Sequence, residues 1–372
     1  MFKVLITGSN GFIGKNLKLY LKGRKDIQVI CFNKENHYAS LTEIIKKVNL
    51  IFHLAGVNRS EKSEDFYYGN TNFTKILGEI VRKANIKIPL VYTSSIKANQ
   101  NTPYGISKKN AEDFLIDLNK NFEVPISIFR LPNVFGKWCK PNYNSVVATF
   151  CNNIIRDIPI NINNKNNIIE LVYIDDVIKK FSQLLDNSIK QISPKFNESV
   201  EPTYKISLEK LAEQLYAFKS MSQSKILENV GSGLTRALYS TYVSYLPKEQ
   251  FAHPVVQNKD SRGVFVEFLK TQNNGQFSCF TTLPGVTRGS HYHHSKTEKF
   301  LIIKGIACFK FFHMDTGEKY ELNVSSDDPK IVETIPGWCH TITNIGKEDL
   351  VTMIWANEIY NPNDPDTYTC QL

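Results

Sequence analysis

The sequence predicts two domains: a doubly wound parallel α/β sheet in the N-terminal part and an all-β sandwich or barrel in the C-terminal part. The chain has 372 residues, about two to three times the commonest domain size. A glycine-rich turn follows the first apolar run, at residues 8–14. After residue 245, where we place the boundary, short alternating strands such as 263–269 and 300–303 are separated by Gly and Pro.

The composition, with 42% hydrophobic and 22% charged residues, excludes a disordered or fibrous chain. No run reaches the roughly 18 apolar residues that cross a bilayer, and the apolar start at residues 1–6 is too short for a signal peptide. We therefore expect a cytoplasmic protein with no membrane partner. The seven scattered cysteines contain no C-x-x-C pair, which predicts reduced thiols. The net charge of +9 comes without a basic block, which favours a solvated surface and no nucleic acid partner.

The glycine turn stands between a predicted strand at residues 3–7 and a predicted helix at residues 15–22. Glycines at this point let the backbone turn tightly and approach a pyrophosphate, while unpaired helix N–H groups face its charge. The alternative is a turn with no ligand. Its place after the first strand favours a dinucleotide site. The candidate residues are Gly8, Asn10, Gly11, Phe12, Ile13 and Gly14.

The end of the second predicted strand bears on which dinucleotide is bound. An acidic residue usually stands there and accepts hydrogen bonds from the ribose 2′-OH. Residues 29–34 contain no carboxylate and end at Lys34, which could pair with a 2′-phosphate. The sequence therefore favours NADP over NAD, with an ordinary surface lysine as the alternative. Apolar runs at 50–54 and 90–93 predict further parallel strands covered on both faces.

Seven segments, in this order, resemble the extended short-chain dehydrogenases/reductases, which mostly act on nucleotide sugars. They are the glycine turn, Leu54-Ala55-Gly56, Asn72, Ser94-Ser95, Tyr104-x-x-x-Lys108, Arg130-Leu131-Pro132-Asn133-Val134-Phe135-Gly136 and Tyr173-Ile174-Asp175-Asp176-Val177. The resemblance implies a Rossmann-like fold. It also implies cofactor contacts from Leu54, Ala55, Gly56, Asn72, Lys108, Arg130, Pro132 and Val134.

Tyr104 and Lys108 would lie one helical turn apart on the same face of a helix that opens at Pro103. A tyrosine with a pKa of about 10 is a poor acid or base at neutral pH, but a nearby ammonium favours the phenolate. The resemblance implies that Tyr104 gives the proton when hydride reaches a carbonyl. It also implies that Lys108 lowers the tyrosine pKa and holds the nicotinamide ribose, and that Ser95 hydrogen-bonds the substrate oxygen. Ser94 competes with Ser95 for this role.

Six of the eight histidines lie after residue 250. His291 and His293 share one face of a predicted strand, Glu298 follows on the next strand, and His340 could return a third imidazole to the same point. Three nitrogens and one carboxylate suit a divalent ion such as Zn²⁺. Residues 285–305 resemble the first motif of the cupin fold, a jelly-roll barrel. The open alternative is a metal-free cupin in which these histidines act as catalytic bases or only form part of the polar wall of the barrel.

A reductase ahead of a cupin resembles the CapF-type bifunctional enzymes of bacterial capsular polysaccharide synthesis. The resemblance implies an NADP-binding reductase domain at residues 1–245 and a cupin domain at residues 246–372. It implies that the cupin epimerises C3 of a UDP-2-acetamido-2,6-dideoxy-4-hexulose and that the reductase then reduces C4 with NADPH, giving UDP-2-acetamido-2,6-dideoxy-L-talose. Epimerisation must come first, because the C3 hydrogen is acidic only while C4 is a carbonyl. We also expect a homodimer.

Several alternatives stay open at this stage. The residue that moves the C3 proton is not assigned: four side chains lie near the cupin motif in sequence, and each could equally be a surface residue, namely Tyr292, His294, Lys299 and His313. The cupin could instead serve only for dimerisation of a 4-keto sugar nucleotide reductase. A non-enzymatic nucleotide-sugar or redox sensor would not need the Tyr104-Lys108 pair, and an RNA-binding relative would account for the positive charge.

Overall fold

The computed structural model describes residues 1–188, 194–224, 227–254, 257–260, 263–266, 275–358, 361 and 363–371. The chain divides into two compact units. The first unit comprises Met1–Phe135, Asn142–Ser145 and Ile169–Lys205, and the second comprises Gly136–Pro141, Val146–Ile168 and Ile206–Leu372. Each unit combines segments that are separate in the sequence, so this division does not test a single boundary. The boundary at residue 245 stays a prediction. No helix among the described residues is long and apolar enough to cross a membrane.

The first unit contains the predicted parallel sheet, with the strand order β2-β1-β3-β4-β5-β8. Its strands are β1 (Phe2–Thr7), β2 (Ile27–Phe32), β3 (Leu50–His53), β4 (Leu90–Ser95), β5 (Ile126–Leu131) and β8 (Lys195–Glu198). A three-stranded sheet is formed by β6 (Asn133–Phe135), β7 (Ile168–Tyr173) and β9 (Thr203–Ser207). The large sheet extends in opposite directions from β1 and β3, which places a binding crevice at the carboxyl ends of these two strands. The doubly wound, Rossmann-like prediction is confirmed.

Nine α-helices are found among the described residues. They are α1 (Phe12–Lys22), α2 (Tyr38–Ile45), α3 (Ser63–Phe66), α4 (Phe73–Ala84), α5 (Pro103–Phe122), α6 (Val146–Ile155), α7 (Ile174–Ser188), α8 (Leu208–Ser224) and α9 (Gly233–Val243). A π-helical segment, Tyr67–Asn72, joins α3 to α4, and 3₁₀ turns lie at Ile96–Asn99 and Lys248–Gln250. One core of the first unit lies between the sheet and α2, α4 and α5, where Leu5, Ile51, Leu77 and Leu115 are fully buried.

The second unit carries two five-stranded sheets in which the strand pairs are antiparallel. One sheet has the order β10 (Ala252–Pro254), β18 (Lys330–Glu333), β15 (Glu298–Lys304), β20 (Leu350–Ala356) and β13 (Gln276–Thr282). The other has the order β17 (Lys319–Ser325), β16 (Ile306–His313), β19 (Trp338–Asn344), β14 (Thr287–Tyr292) and β21 (Tyr368–Thr369). A separate pair is formed by β11 (Gln257–Asp260) and β12 (Gly263–Val266).

The two large sheets of the second unit share one aromatic core. Phe300 on β15 and Phe309 on β16 meet edge to face, with ring centroids 5.6 Å apart, so the inner faces of the two sheets pack together. This sandwich confirms the all-β jelly-roll prediction. Of the strand expected at residues 263–269, the first four residues form β12, and residues 267–269 lie outside the described part of the chain.

Candidate active site and metal centre

Two glycines of the turn between β1 and α1 are packed so tightly that a side chain would clash with the backbone. Gly8 has a φ of +67°, and a Cβ on it would lie 2.6 Å from the Cα of Ala55. A Cβ on Gly14 would lie 2.2 Å from the carbonyl oxygen of Gly8. Gly11 is the N-cap of α1 and has no side chain to occupy the helix N–H groups. The turn therefore presents bare backbone donors at the crevice, as a phosphate site requires.

Asn33 stands just after β2, where an acidic residue is usual in NAD-dependent relatives. Its Oδ1 accepts hydrogen bonds from the backbone N–H of Asn10 at 3.0 Å and from the Ser9 hydroxyl at 3.1 Å. This side chain thus braces the glycine turn and brings no negative charge to it. Lys34, the next residue, is exposed.

The structure brings the three predicted catalytic side chains together. Thr102 caps the start of α5 by accepting a hydrogen bond from the Gly105 N–H, with Pro103 in the first turn. Tyr104 and Lys108 therefore lie on successive turns of one helix. Tyr104 shares a hydrogen bond with Ser95, and Ser95 Oγ accepts from the N–H of Lys97 at 3.2 Å.

The pKa of Tyr104 shifts in the direction opposite to the sequence argument. Burial raises it, and the hydrogen bond with Ser95 only partly opposes the rise. We predicted a lowering by Lys108, but the structure points that ammonium elsewhere: Nζ donates to the carbonyl of Thr93 at 3.0 Å and lies 5.0 Å from the Tyr92 ring centroid. A phenol with a raised pKa keeps its proton at neutral pH, as a proton donor must.

Lys108 is itself strongly perturbed. Its side chain is only 4% exposed, and burial lowers its pKa to about 8 although Glu112 opposes this. A Cβ placed on Gly56 would lie 3.3 Å from Nζ, so the absence of a side chain at this glycine leaves room beside the ammonium. Lys108 therefore sits at the carboxyl ends of β3 and β4, inside the crevice.

Asn70 is a residue of this site that the sequence argument missed. It lies in the π-helical segment and is 1% exposed. Its amide accepts from the N–H of Val57 at 2.8 Å and donates to the carbonyl of Val57 at 3.0 Å and to Ser107 Oγ at 2.9 Å. Ser107 in turn donates to the carbonyl of Tyr104 at 2.7 Å. Asn70 thus fixes the loop after β3 against the first turn of α5.

The loop that Asn70 holds also reaches Tyr104, since the Tyr104 hydroxyl donates to Asn58 Oδ1 at 3.4 Å. The predicted Asn72 lies two positions further along and is half-buried. Its side chain has no hydrogen bond within the described residues. A π-helical turn rotates side chains relative to α-helical spacing, and neighbouring asparagines could not be told apart from the sequence.

Arg130 binds α5 through Glu112. Its Nε donates to Glu112 Oε1 at 2.9 Å and a second nitrogen contacts Oε2, while the Glu112 side chain is almost fully buried. The guanidinium therefore anchors the helix that carries Lys108. The remaining predicted cofactor positions are partly or fully accessible around the crevice: Asn10, Phe12, Ile13, Leu54, Ala55, Pro132 and Val134. Ser94, the competitor of Ser95, is buried and its hydroxyl has no hydrogen bond within the described residues.

The predicted metal ligands converge in the second unit. His291, His293, Glu298 and His340 each offer one ligand atom, and all these atoms lie within 4.8 Å of one another. His291 and His340 are direct partners in the pairing of β14 with β19, and Glu298 opens β15 in the facing sheet. Glu298 Oε2 lies 3.2 Å from His293 Nε2 and 3.6 Å from His340 Nε2.

The chemistry of this cluster fits a metal ion. His340 is 2% exposed, yet neither of its ring nitrogens has a hydrogen-bond partner within the described residues. Burial lowers the pKa of His340 to about 3, so its ring is neutral with a free lone pair. Burial opposes ionisation of Glu298, but His293 and His340 together lower its pKa to about 2. The neutral imidazole of His340 and the ionised carboxylate of Glu298 are in the ligand states that Zn²⁺ requires. Burial opposes protonation of His293, but the neighbouring Glu298 raises its pKa, so a metal ion bound there would displace a proton from its Nε2.

All four open proton-transfer candidates have contacts within the second unit. Lys299 points to the opposite side of β15 from Glu298 and binds Glu333, with the Tyr239 ring centroid 5.8 Å away. His313 accepts a hydrogen bond from the Trp138 indole at 3.0 Å. Tyr292 and His294 both pack edge-on or stacked against Tyr368. None of the four is singled out as the group that moves a proton.

The cysteines differ from the prediction. Cys339 and Cys370 form a disulfide with a Cα–Cα distance of 6.3 Å. Their separation of 31 residues is closed by the pairing of β14 with both β19 and the C-terminal strand β21. A search for short C-x-x-C spacing could not detect a pair that only tertiary structure brings together.

Comparison with known families agrees with this geometry. The NAD dependent epimerase/dehydratase family matches residues 4–197, more than half of the chain. The chain belongs to this family. It is therefore an enzyme of a nicotinamide-dependent class, as the sequence resemblance implied. Residues 258–368 match the polysaccharide biosynthesis C-terminal domain.

Two full-length relatives resemble this epimerase/dehydratase family member. A Pseudomonas aeruginosa protein named UDP-2-acetamido-2,6-beta-L-arabino-hexul-4-ose reductase is 54% identical over 370 residues, covering 100% of this chain and 99% of the relative. The crystal structure of the capsular polysaccharide assembling protein CapF from Staphylococcus aureus is 37% identical with a TM-score of 0.67, covering 100% of both chains. UDP-glucuronic acid 4-epimerase from Bacillus cereus, at 18% identity and a TM-score of 0.53, covers 59% of this chain and 84% of its own, and supports the fold alone.

Proposed function

We propose that this protein is a bifunctional nucleotide-sugar enzyme that makes a precursor for capsular polysaccharide. It epimerises C3 of a UDP-2-acetamido-2,6-dideoxy-4-hexulose and then reduces C4 with NADPH, giving UDP-2-acetamido-2,6-dideoxy-L-talose. The observation that carries the proposal is the 54% identity, along the entire chain, to a reductase of a UDP-linked 4-keto sugar. The chain contains the residues that the two reactions would use: Tyr104, Ser95 and Lys108 for reduction, and His291, His293, Glu298 and His340 for epimerisation.

The reduction uses the cluster of Tyr104, Ser95 and Lys108. NADPH, when bound in the crevice at the glycine turn, supplies the hydride that adds to C4. Tyr104 gives its phenolic proton to the C4 oxygen, so the carbonyl becomes a hydroxyl and water restores the proton to tyrosine. Ser95 hydrogen-bonds the same oxygen and aims it at Tyr104. Lys108, one helical turn after Tyr104 in the same crevice, holds the nicotinamide ribose.

The preference for NADPH rests on the absence of a carboxylate after β2 and on Lys34. We expect Lys34→Ala to raise the KM for NADPH about tenfold, because one charge-assisted contact to a phosphate is lost, while the KM for NADH stays the same. Lys25→Ala is the matched control, since Lys25 is also an exposed lysine of the same unit. An equal KM for NADPH in the two variants would refute the role of Lys34.

The epimerisation uses the acidity of the C3 hydrogen. Removing this hydrogen next to the C4 carbonyl gives an enolate whose charge rests on oxygen, and reprotonation from the other face inverts C3. His291, His293, Glu298 and His340 would hold Zn²⁺, which supplies Lewis acidity toward the carbonyl oxygen. We expect about one equivalent of zinc by elemental analysis, and a large loss of zinc in His291→Ala. Metal-free wild-type protein with full epimerisation would refute the zinc site.

A second candidate function is a reductase whose β-sandwich serves only for dimerisation. It is favoured by the name of the Pseudomonas relative, which mentions reduction and no epimerisation. The deciding experiment uses the full chain with Tyr104→Phe, a UDP-4-keto sugar and deuterated water. Exchange of the C3 hydrogen in this variant supports the bifunctional enzyme, and its absence supports the reductase alone.

Location and assembly complete the proposal. We place the enzyme in the cytoplasm because its proposed substrates, a nucleotide sugar and NADPH, are cytoplasmic metabolites, and we expect a homodimer without nucleic acid. A disulfide such as Cys339–Cys370 is uncommon in a reducing cytoplasm, so its redox state in the cell bears on this placement. Cell fractionation, light scattering after size exclusion, and thiol labelling before lysis test these points separately.

A further inference from the structure

The C-terminal strap, which we define as residues 363–371, is fastened to the loop that follows β14. We propose that Asp366 in this strap is a positioning residue for the metal centre, because it fixes the orientation of the ligand His293. The inference rests on the proposed zinc site. It adds a requirement that neither the ligand set nor the fold implies: residues 363–371 are needed for tight metal binding.

The carboxylate of Asp366 is buried against the turn formed by residues 294–296. It accepts hydrogen bonds from three successive backbone N–H groups, those of His294 at 2.8 Å, Ser295 at 2.8 Å and Lys296 at 2.6 Å. The hydroxyl of Ser295 adds a fourth at 3.0 Å. A carboxylate that accepts several N–H bonds in a buried site is a strong anchor, since each of these bonds is charge-assisted.

The backbone of the same aspartate contacts the metal ligand itself. His293 Nδ1 donates to the carbonyl oxygen of Asp366 at 2.6 Å. Asp366 has a φ of +40°, and from this conformation its carboxylate and its carbonyl contact the same turn. With Nδ1 as the donor, His293 keeps Nε2 as the nitrogen that faces Glu298 and the cluster. A hydrogen bond of this kind sets both the tautomer and the ring orientation of a ligating histidine.

Other contacts hold the strap in register with the metal ligands. Lys296 Nζ donates to the carbonyl of Pro365 at 2.7 Å and to the hydroxyl of Thr367 at 2.6 Å. Thr369 on β21 pairs with His291 on β14. These contacts hold the strap against β14 and the turn that follows it, and so place the Asp366 carbonyl beside His293.

The test measures zinc affinity by competition with a chromogenic chelator. Partners of this kind contribute about 10–100-fold to metal affinity, so we expect Asp366→Ala to bind zinc about 10–100-fold more weakly than wild type. Asp364→Ala is the matched control, because it removes the same charge from an exposed position two residues away and should bind zinc like wild type. Cobalt-substituted protein gives a second readout: a displaced His293 changes the visible absorption bands of Co²⁺ in Asp366→Ala, and Asp364→Ala keeps the wild-type spectrum.

The possible outcomes separate this inference from the proposed function. If wild type binds no zinc, the metal site itself is refuted. If wild type and Asp366→Ala bind zinc with equal affinity and give the same Co²⁺ spectrum, only the role of Asp366 is refuted. If circular dichroism shows that Asp366→Ala does not fold, Lys296→Met decides, because it removes two strap contacts without touching the turn backbone. Weaker zinc binding in Lys296→Met supports the role of the strap, and unchanged binding overturns it.

Discussion

Replacing Lys108 with methionine should stabilise the first unit at neutral pH and abolish reduction. Burial lowers the pKa of Lys108 from 10.5 to about 8, which corresponds to a cost of about 3 kcal/mol for keeping the ammonium charged. Methionine has a similar length and carries no charge. The variant also loses the hydrogen bond from Nζ to the Thr93 carbonyl, which lowers the free energy of unfolding by about 1 kcal/mol. The expected net gain in the free energy of unfolding is about 2 kcal/mol at pH 7.

This gain should disappear as the pH rises. Between the folded pKa of about 8 and the unfolded value of 10.5, the unfolded state of the wild type binds up to one more proton than the folded state. The free energy of unfolding of the wild type therefore rises with pH across this window. Lys108→Met lacks this proton linkage, so its advantage should vanish by about pH 10.5.

The measurement is urea denaturation followed by far-ultraviolet circular dichroism at pH 7 and pH 10.5. Tryptophan fluorescence would miss the first unit, because Trp138, Trp338 and Trp355 all belong to the second unit. Lys109→Met is the matched control. Lys109 is the next residue of α5 and forms a partly exposed pair with Asp113, so this change should stay within about 0.5 kcal/mol. A Lys108→Met variant less stable than wild type at pH 7, or equally favoured at both pH values, would refute the reasoning.

Three further predictions concern the same unit. Tyr104→Phe should lower the rate of NADPH oxidation by about 10²–10⁴-fold, because the proton donor is lost, and a wild-type rate in a spectrophotometric assay would remove Tyr104 from that role. Gly14→Ala should abolish NADPH binding in fluorescence titration, because its Cβ would lie 2.2 Å from the Gly8 carbonyl oxygen, and unchanged binding would contradict the close packing of the turn. Glu112→Gln should cost about 3 kcal/mol in urea denaturation, because Arg130 loses its buried partner, and a neutral effect would show that water pairs the guanidinium instead.

The parts of the site that follow from local sequence were predictable. The glycine turn, the Tyr104-x-x-x-Lys108 pair and the two histidines at 291 and 293 depend on spacing along one turn, one helix or one strand. These periodicities are properties of the backbone, so residue positions alone place the side chains on a common face. The position of Glu298 was predictable for the same reason, since it is the first residue of the next strand.

The parts that depend on tertiary contacts were not predictable. The sequence motif predicts that Arg130 contacts the cofactor. In the structure its guanidinium pairs with the carboxylate of Glu112, which lies on a helix 18 residues earlier in the chain. Asn70 is brought to the loop after β3 by a π-helical segment, which has no clear sequence signature. The predicted shift of the Tyr104 pKa was wrong in direction, because the desolvation of a side chain depends on everything packed around it. Asp366 lies 73 residues from His293 and could be linked to it only by the structure.

The most direct test of the central claim is a proton NMR experiment with the intact protein and a UDP-linked 4-keto-2-acetamido sugar in deuterated water. Without NADPH, the C3 proton signal should disappear while the 4-keto sugar persists. After NADPH is added, the 4-keto signals should give way to those of a C3-inverted sugar with a hydroxyl at C4. A C3 proton that stays unexchanged, followed by reduction with C3 uninverted, would contradict a bifunctional enzyme.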